Sequence, residues 1–341
     1  MDSIKQPNFI IFGKNSIDEF NFPTHCLVIT SKGAKSRGWL DRFKSKNYYI
    51  FDKVESNPSI EIIDEIISDF RDSNFSHVIG LGGGSSLDVA KFIAFKLKKF
   101  KILIPTTFGS GSEVTRISVL KVNGKKQSFH DDMLFADVAI IDSQFLENSS
   151  QDIIKNSVID ALAQCSEAYD SKISNNYTKF LCKKAFDVLE NGIMNEKYEN
   201  LAIGSLYCGL GFGNSSTTLG HALSYVFSNE GISHGHALAF TTTVAHEFNN
   251  SIFYDRFYKI VEKLNFKEIF LKQDLDVAAE LILTDRKHLE NNPRQILKNK
   301  NAGKEMGMAA RQLIIEKFNW NTLAKNFLTK VNPIIKAKNN Y

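Results

Sequence analysis

The stretch His77-Val-Ile-Gly-Leu-Gly-Gly-Gly-Ser-Ser-Leu-Asp-Val-Ala-Lys91 leaves its backbone few choices. A β-rich run enters three consecutive glycines, and a helix-forming run leaves them at Ser85 or Ser86. Glycines let the backbone approach an anion closely, and a helix start offers free N–H donors at the positive end of its dipole. The segment therefore reads as a strand–turn–helix unit whose turn is either a pyrophosphate cradle or simply tight. It is neither GxGxxG nor the GxxxxGK[ST] loop.

The surrounding pattern extends that unit into a sheet. Short strand-like runs recur at Cys26-Leu-Val-Ile-Thr30, Tyr48-Tyr-Ile-Phe51, Lys101-Ile-Leu-Ile104 and Val138-Ala-Ile-Ile141. Between them Ser59 to Phe70 carries Ile60, Ile63, Ile66, Ile67 and Phe70 along one helical face. Strands alternating with helices predict an α/β domain with a mainly parallel, Rossmann-like sheet over residues 1–150. After that the apolar period is helical: about 151–170, 174–194, 198–210, 217–228, 237–248 and 252–264. An all-helical domain is expected over 151–296 and a helical extension over 297–341, with the site in the cleft between the first two. At 341 residues the chain exceeds the ~250–300 at which single cores stop growing, which agrees with two domains.

Charge and cysteine usage narrow the function. The net charge of +4 hides an asymmetry: residues 297–341 hold nine Lys/Arg against two Glu, so the first 296 carry −3. Such a body offers no basic groove for nucleic acid, and the basic tail reads as a solvated helix face. No stretch approaches 18 uninterrupted apolar residues, and the first residues lack an apolar leader, so no membrane association is expected. Four widely spaced cysteines without a CxxC pair suit a reducing cytoplasm.

Three further constellations carry possible chemistry. Ile104-Pro-Thr-Thr-Phe-Gly-Ser-Gly-Ser-Glu-Val-Thr115 packs hydroxyls and glycines after a strand, as a ligand-lining or merely solvated loop would. Asp160 and Gln164 sit one turn apart on one helix face. His221, His234 and His236 fall within 16 residues among Gly and Ser. An Asp and two His from separate helices can supply oxygen and nitrogen ligands to one divalent cation.

In this order and spacing the constellations resemble the iron-containing (group III) alcohol dehydrogenase family. The matching segments are Gly82-Gly-Gly-Ser-Ser-Leu-Asp-Val-Ala-Lys91, Pro105-Thr-Thr-Phe-Gly-Ser-Gly-Ser-Glu113, Asp160-Ala-Leu-Ala-Gln-Cys-Ser-Glu167, His221-Ala-Leu-Ser-Tyr225 and Ser233-His-Gly235. The resemblance implies NADPH or NADH, a divalent metal (Fe²⁺ or Zn²⁺), an aldehyde or alcohol substrate and a possible homodimer. By position, Gly83, Gly84, Ser85, Asp88, Thr106, Thr107 and Thr115 would serve the dinucleotide. Ser31 stands where an acid often meets the adenosine ribose, and its lack of charge leaves room for NADPH. Asp160, Gln164, His221 and His234 would hold the metal, Gln164 replacing a third His and binding through its amide oxygen or else touching substrate. Tyr225, in place of a second His, or His236 would relay a proton.

The finer combination is similar to phosphonoacetaldehyde reductases, which make 2-hydroxyethylphosphonate, and Lys121-Val-Asn-Gly-Lys-Lys126 resembles a segment of theirs. Arg116, Lys125 and Lys126 are the cations this reading places on the phosphonate, or equally at the surface or on cofactor phosphate. Three alternatives stand beside it: a general alcohol dehydrogenase of neutral aldehydes, a dehydroquinate synthase-like lyase or cyclase, and a degenerate homologue that binds without turnover. Lys304 to Trp320 resembles the closing helices of two-Rossmann retaining glycosyltransferases, but about 40 residues cannot form a donor site.

Overall fold

The computed structural model describes residues 2–43, 47–267, 269 and 275–294. The extension expected over 297–341 lies outside the described residues.

Among the described residues there are eight strands: β1 (Phe9–Phe12), β2 (Cys26–Ile29), β3 (Tyr48–Phe51), β4 (His77–Gly82), β5 (Phe100–Pro105), β6 (Ile117–Val122), β7 (Lys125–His130) and β8 (Val138–Ile141). Six of them form one fully parallel sheet in the order β1-β8-β5-β4-β2-β3. Its central strands are near-continuous apolar runs because both faces are covered. On β2, Leu27 and Ile29 join one core while Cys26 and Val28 join the other with Trp39, Phe43 and Phe145. The order of connection reverses between β2 and β4, and the carboxyl ends of strands at such a switch open a crevice suited to ligands.

The helices are α1 (Ser16–Glu19), α2 (Lys32–Ser36), α3 (Glu61–Asp69), α4 (Gly84–Leu97), α5 (Gln151–Asp170), α6 (Asn176–Met194), α7 (Tyr198–Phe212), α8 (Leu219–Asn229), α9 (His234–Asn249), α10 (Tyr254–Leu264), α11 (Leu275–Thr284) and α12 (Arg286–Asn291). Ser150 caps α5 by accepting from the Ile153 amide, and Asn175 and Thr178 form a capping box on α6. A single apolar cluster runs from α4 and the sheet into α5, α6 and α7, so the helical part is anchored on the sheet rather than tethered to it.

Three features depart from the runs read in the sequence. Strand β1 forms an edge of the sheet although only four residues long, paired with β8. The β6–β7 hairpin was not expected; its signal is Asn123-Gly124, both with positive φ (50° and 76°), the pair favoured in a two-residue hairpin turn. Helix α9 also starts three residues before the expected 237, which puts His234 in its first turn.

Candidate active site

A cleft of about 480 Å³ opens at the carboxyl ends of the sheet strands, between the α/β part and α5, α8, α9 and α12. Three walls define it.

The first wall is the start of α4. Gly83 is its N-cap and provides no capping side chain, so the Gly84 and Ser85 amides at the helix start carry no capping partner, while the Ser86 amide turns back to Gly83 O (2.9 Å). A Cβ at Gly84 would lie 2.8 Å from the Ser110 hydroxyl, so only glycine keeps this cradle open. Gly84, Ser85, Thr107 and Thr115 line the cleft, with Ser85 Oγ accepting from the Asn57 amide at 3.3 Å. Thr106 is buried, its amide donating to Gly82 O at 2.9 Å; it fixes the turn from behind. Asp88 reaches the edge of the cleft, but its carboxylate accepts from Ser112 Oγ (2.6 Å) and the Val119 amide (3.1 Å), with Lys91 Nζ 3.5 Å away. Lys91 is fully buried and donates to the carbonyls of Ser112 (2.8 Å), Thr115 (3.3 Å) and Ile117, knitting the hydroxyl-rich loop to α4. Asp88 and Lys91 are thus scaffolding for the cradle. Ser31 caps α2 through the Ala34 amide and does not line the cleft.

The second wall is one face of the β6–β7 hairpin. Ile117, Val119 and Lys121 on β6 pair with His130, Ser128 and Lys126 on β7, and all six side chains line the cleft. Alternation places Lys125 on the opposite face, where it is exposed and away from the site expected for it. Arg116 reaches the cleft while paired with Asp132 at 2.9 Å.

The third wall holds the cation-binding group. Asp160, Gln164 and Glu167 share one face of α5, at i, i+4 and i+7. His221 comes from α8 and His234 opens α9. A Cβ at position 235 would lie 2.0 Å from Asn156 O, so Gly235 is what lets α9 start against α5 and bring His234 to Asp160. Asp160 Oδ1 is 3.8 Å from Nε2 of both His221 and His234, and the three ligand atoms lie within 4.8 Å of one another.

The neighbours orient this trio. Glu167 is buried and accepts from Thr218 Oγ1 (3.0 Å), the Gly220 amide (2.5 Å) and His221 Nδ1. That contact holds the Nδ1 proton and leaves His221 Nε2 buried with no hydrogen-bond partner. Such an orphan is costly unless something fills it, and a metal ion would. Burial opposes ionisation of Asp160, but His221 and Lys126 beside it outweigh that and hold the carboxyl below its ordinary range. Burial pushes His234 down to about 3, so its ring is neutral and free to donate a lone pair. Gln164 turns its amide nitrogen to Asp160 Oδ1 (2.9 Å) and its oxygen toward Cys208 Sγ (3.6 Å), so as it stands it orients Asp160.

The two residues expected to relay protons part company. Tyr225 is in the cleft, stacked on His234 at 6.1 Å, and burial raises its phenol pKa well above the usual range. His236 does not reach the cleft: two residues beyond His234 on a helix lies about 200° around the axis. Its Nε2 meets Lys267 O, and its ring packs by Phe240 and Phe266. In its place the structure brings His288, which the sequence reading missed. Its Nδ1 lies 2.6 Å from Asp285 Oδ2, and its ring stacks on His221 at 6.2 Å and lies 5.9 Å from Tyr225. No spacing rule links position 288 to 221; only packing of α12 on α8 does.

Residues 7–143 match the family described as iron-containing alcohol dehydrogenase, and residues 154–285 match the C-terminal part of the Fe-containing alcohol dehydrogenase family. A 4-hydroxybutyrate dehydrogenase of Clostridium kluyveri is 35% identical over 209 residues, covering 53% of this chain and 56% of that protein. A long-chain-alcohol dehydrogenase of Geobacillus thermodenitrificans is 33% identical over 251 residues, covering 63% and 64%. The chain thus spans less than two thirds of the length of either relative. The crystal structure of an iron-containing alcohol dehydrogenase from Thermotoga maritima superimposes with a TM-score of 0.79 at 25% identity, covering 92% of this chain and 99% of that one.

Proposed function

The chain belongs to the iron-containing alcohol dehydrogenase family, and from that premise we propose that it is a metal-dependent NAD(P)H oxidoreductase interconverting an aldehyde and a primary alcohol. The observation that carries this reading is the orphaned Nε2 of His221, aimed with Asp160 and His234 at one point in a cleft whose other wall is an open glycine cradle.

Asp160, His221 and His234 would hold the cation, an oxygen and two nitrogen donors that suit iron or zinc. Gly83, Gly84 and Ser85 would hold the pyrophosphate, with Thr107 and Thr115 along the rest of the dinucleotide. When bound, the metal supplies Lewis-acid polarisation of the carbonyl and the reduced nicotinamide supplies the hydride. The chain's own work is positioning and proton supply. Glu167 fixes the His221 ring, and Gln164 fixes Asp160. The Asp285-held His288 sits beside Tyr225 and His221, and we assign it delivery of the proton that completes the alcohol. Tyr225 stays a neutral phenol that shapes the substrate's surroundings.

The finer reading is reduction of phosphonoacetaldehyde to 2-hydroxyethylphosphonate. Support comes from the motif resemblance and from the cations around the cleft; the Clostridium relative is itself named for a substrate with an anionic tail. Following NADPH and NADH absorbance with phosphonoacetaldehyde and with propanal, with and without added Fe²⁺ or Zn²⁺, tests both levels. Metal-dependent oxidation of cofactor by either aldehyde is expected. Cofactor binding without turnover of any aldehyde would instead favour a non-catalytic homologue.

A further inference from the structure

We propose that Lys126, His130 and Lys287 form a subsite for the oxyanion tail of the substrate. The inference rests on the reductase reading above and adds the residues that select among aldehydes.

The cleft is lined by Arg116, Lys121, Lys126 and Lys287 against two carboxylates, Asp88 and Asp160. Both carboxylates are committed, Asp88 to Ser112, Val119 and Lys91, and Asp160 to the histidine pair. Arg116 is already paired with Asp132. The cofactor's pyrophosphate belongs at the α4 start, on a different wall. Asp160 attracts Lys126 and Asp285 attracts Lys287, but both carboxylates are paired with histidines, and among the described residues neither forms an ion pair with its lysine.

Lys126 and Lys287 approach the trio from two sides. Lys126 makes neither a hydrogen bond nor an ion pair with the described residues; its ammonium lies 5.8 Å over the Tyr225 ring, which in turn stacks on His234. Lys287 comes from α12, next to His288, and its Nζ is 2.7 Å from His130 Nε2 on β7. His130 pairs with Ile117 four residues along the strand from Lys126, so both point into the cleft from one hairpin face. Burial and the charges of Lys287 and Arg116 press His130 down to about 4, which keeps its ring neutral and available to hold the Lys287 ammonium in place. An aldehyde with its oxygen at the metal position and a phosphonate, sulfonate or carboxylate on the next carbons would present its tail to these lysines. A neutral aldehyde would leave them unmatched.

The test compares phosphonoacetaldehyde, sulfoacetaldehyde, succinate semialdehyde and propanal as substrates of wild type, Lys126→Met, Lys287→Met, His130→Gln and Lys125→Met holoenzymes. The ratio of kcat/KM for an anionic aldehyde to that for propanal should fall about 10–100-fold in either lysine variant, the worth of one charge-assisted hydrogen bond, and less in His130→Gln. Lys125→Met, on the other strand face, should keep the ratio. The order among the three anions says which tail fits. An unchanged ratio would overturn the proposal, as would a loss expressed equally on propanal or through the KM for NADPH, since the lysines would then serve the fold or the cofactor. Calorimetric titration with methylphosphonate separates this inference from its premise. If no aldehyde is reduced but methylphosphonate binds and the lysine variants weaken it at least 10-fold, the subsite stands and the reductase reading falls. Failure of wild type to bind methylphosphonate or to prefer anionic aldehydes overturns the subsite alone.

Discussion

Replacing Glu167 by Gln exchanges one oxygen for an NH₂ group at constant volume, and the structure says what that does to the metal. Glu167 accepts three donors: Thr218 Oγ1 and the Gly220 amide on one oxygen, His221 Nδ1 on the other. It is held ionised, down to about 2, because His221, His246 and Thr218 outweigh the burial that opposes its charge. A glutamine keeping the first oxygen in place turns its NH₂ toward Nδ1–H, donor against donor. His221 must then shift its proton to Nε2, the atom meant for the metal, or rotate away. Outer partners of this kind typically contribute 10–100-fold to metal affinity, about 1.4–2.7 kcal/mol. The lost charged hydrogen bond also removes about 2 kcal/mol from the metal-free fold, or roughly 4–8 °C in Tm for a domain of this size. Titration with Co²⁺, read by its visible absorption and by competition with a chelator, gives the first number, and thermal unfolding of the metal-free protein the second. If Glu167→Gln lost stability but bound Co²⁺ with wild-type affinity and spectrum, His221 Nε2 would not be a ligand, and the assignment of the trio would fail.

Three other outcomes follow from the same structure. Lys91→Met strips three carbonyls of their donor and leaves Asp88 buried without its counter-charge, so a loss of about 3–5 kcal/mol is expected in urea unfolding; a loss under about 1 kcal/mol would mean the loop is held by other contacts. Burial pushes Glu113 up to about 7, and its Oε1 has no partner. The folded chain therefore binds more protons there than the unfolded chain between pH 4.5 and about 7, so this group's contribution to stability falls as pH rises through that window. Glu113→Gln should match wild type near pH 4 and exceed it at pH 8 by about 3 kcal/mol, and parallel stability–pH curves would contradict this. His288→Gln should lower kcat about 100-fold while metal and cofactor still bind; an unchanged kcat would return proton delivery to Tyr225 or solvent.

The parts legible in the sequence were those governed by local rules. Alternating runs and the glycine turn announced a parallel sheet and the cradle at Gly84, because a strand entering glycines and leaving as a helix has few backbone solutions. The i, i+4 spacing of Asp160 and Gln164 put both on one face of α5, and the Gly beside His234 fits a close approach that a Cβ would block. Strand alternation would also have separated Lys126 from Lys125, had Asn123-Gly124 been read as a hairpin turn. Ser31 and Asp88 show the opposite case: their positions are those of ligand-facing residues, while their side chains are spent on the Ala34 amide and on Ser112 and Val119.

What only the tertiary structure decided is which distant side chains meet. His288 beside His221, Lys287 on His130 and Glu167 under the His221 ring join residues 67, 157 and 54 positions apart. The sequence by itself determined the elements and the chemistry each could offer. Periodicity reports how a segment turns about its own axis and says nothing of how two axes cross, and it is the crossing of α5, α8, α9 and α12 over the hairpin that assembles the site.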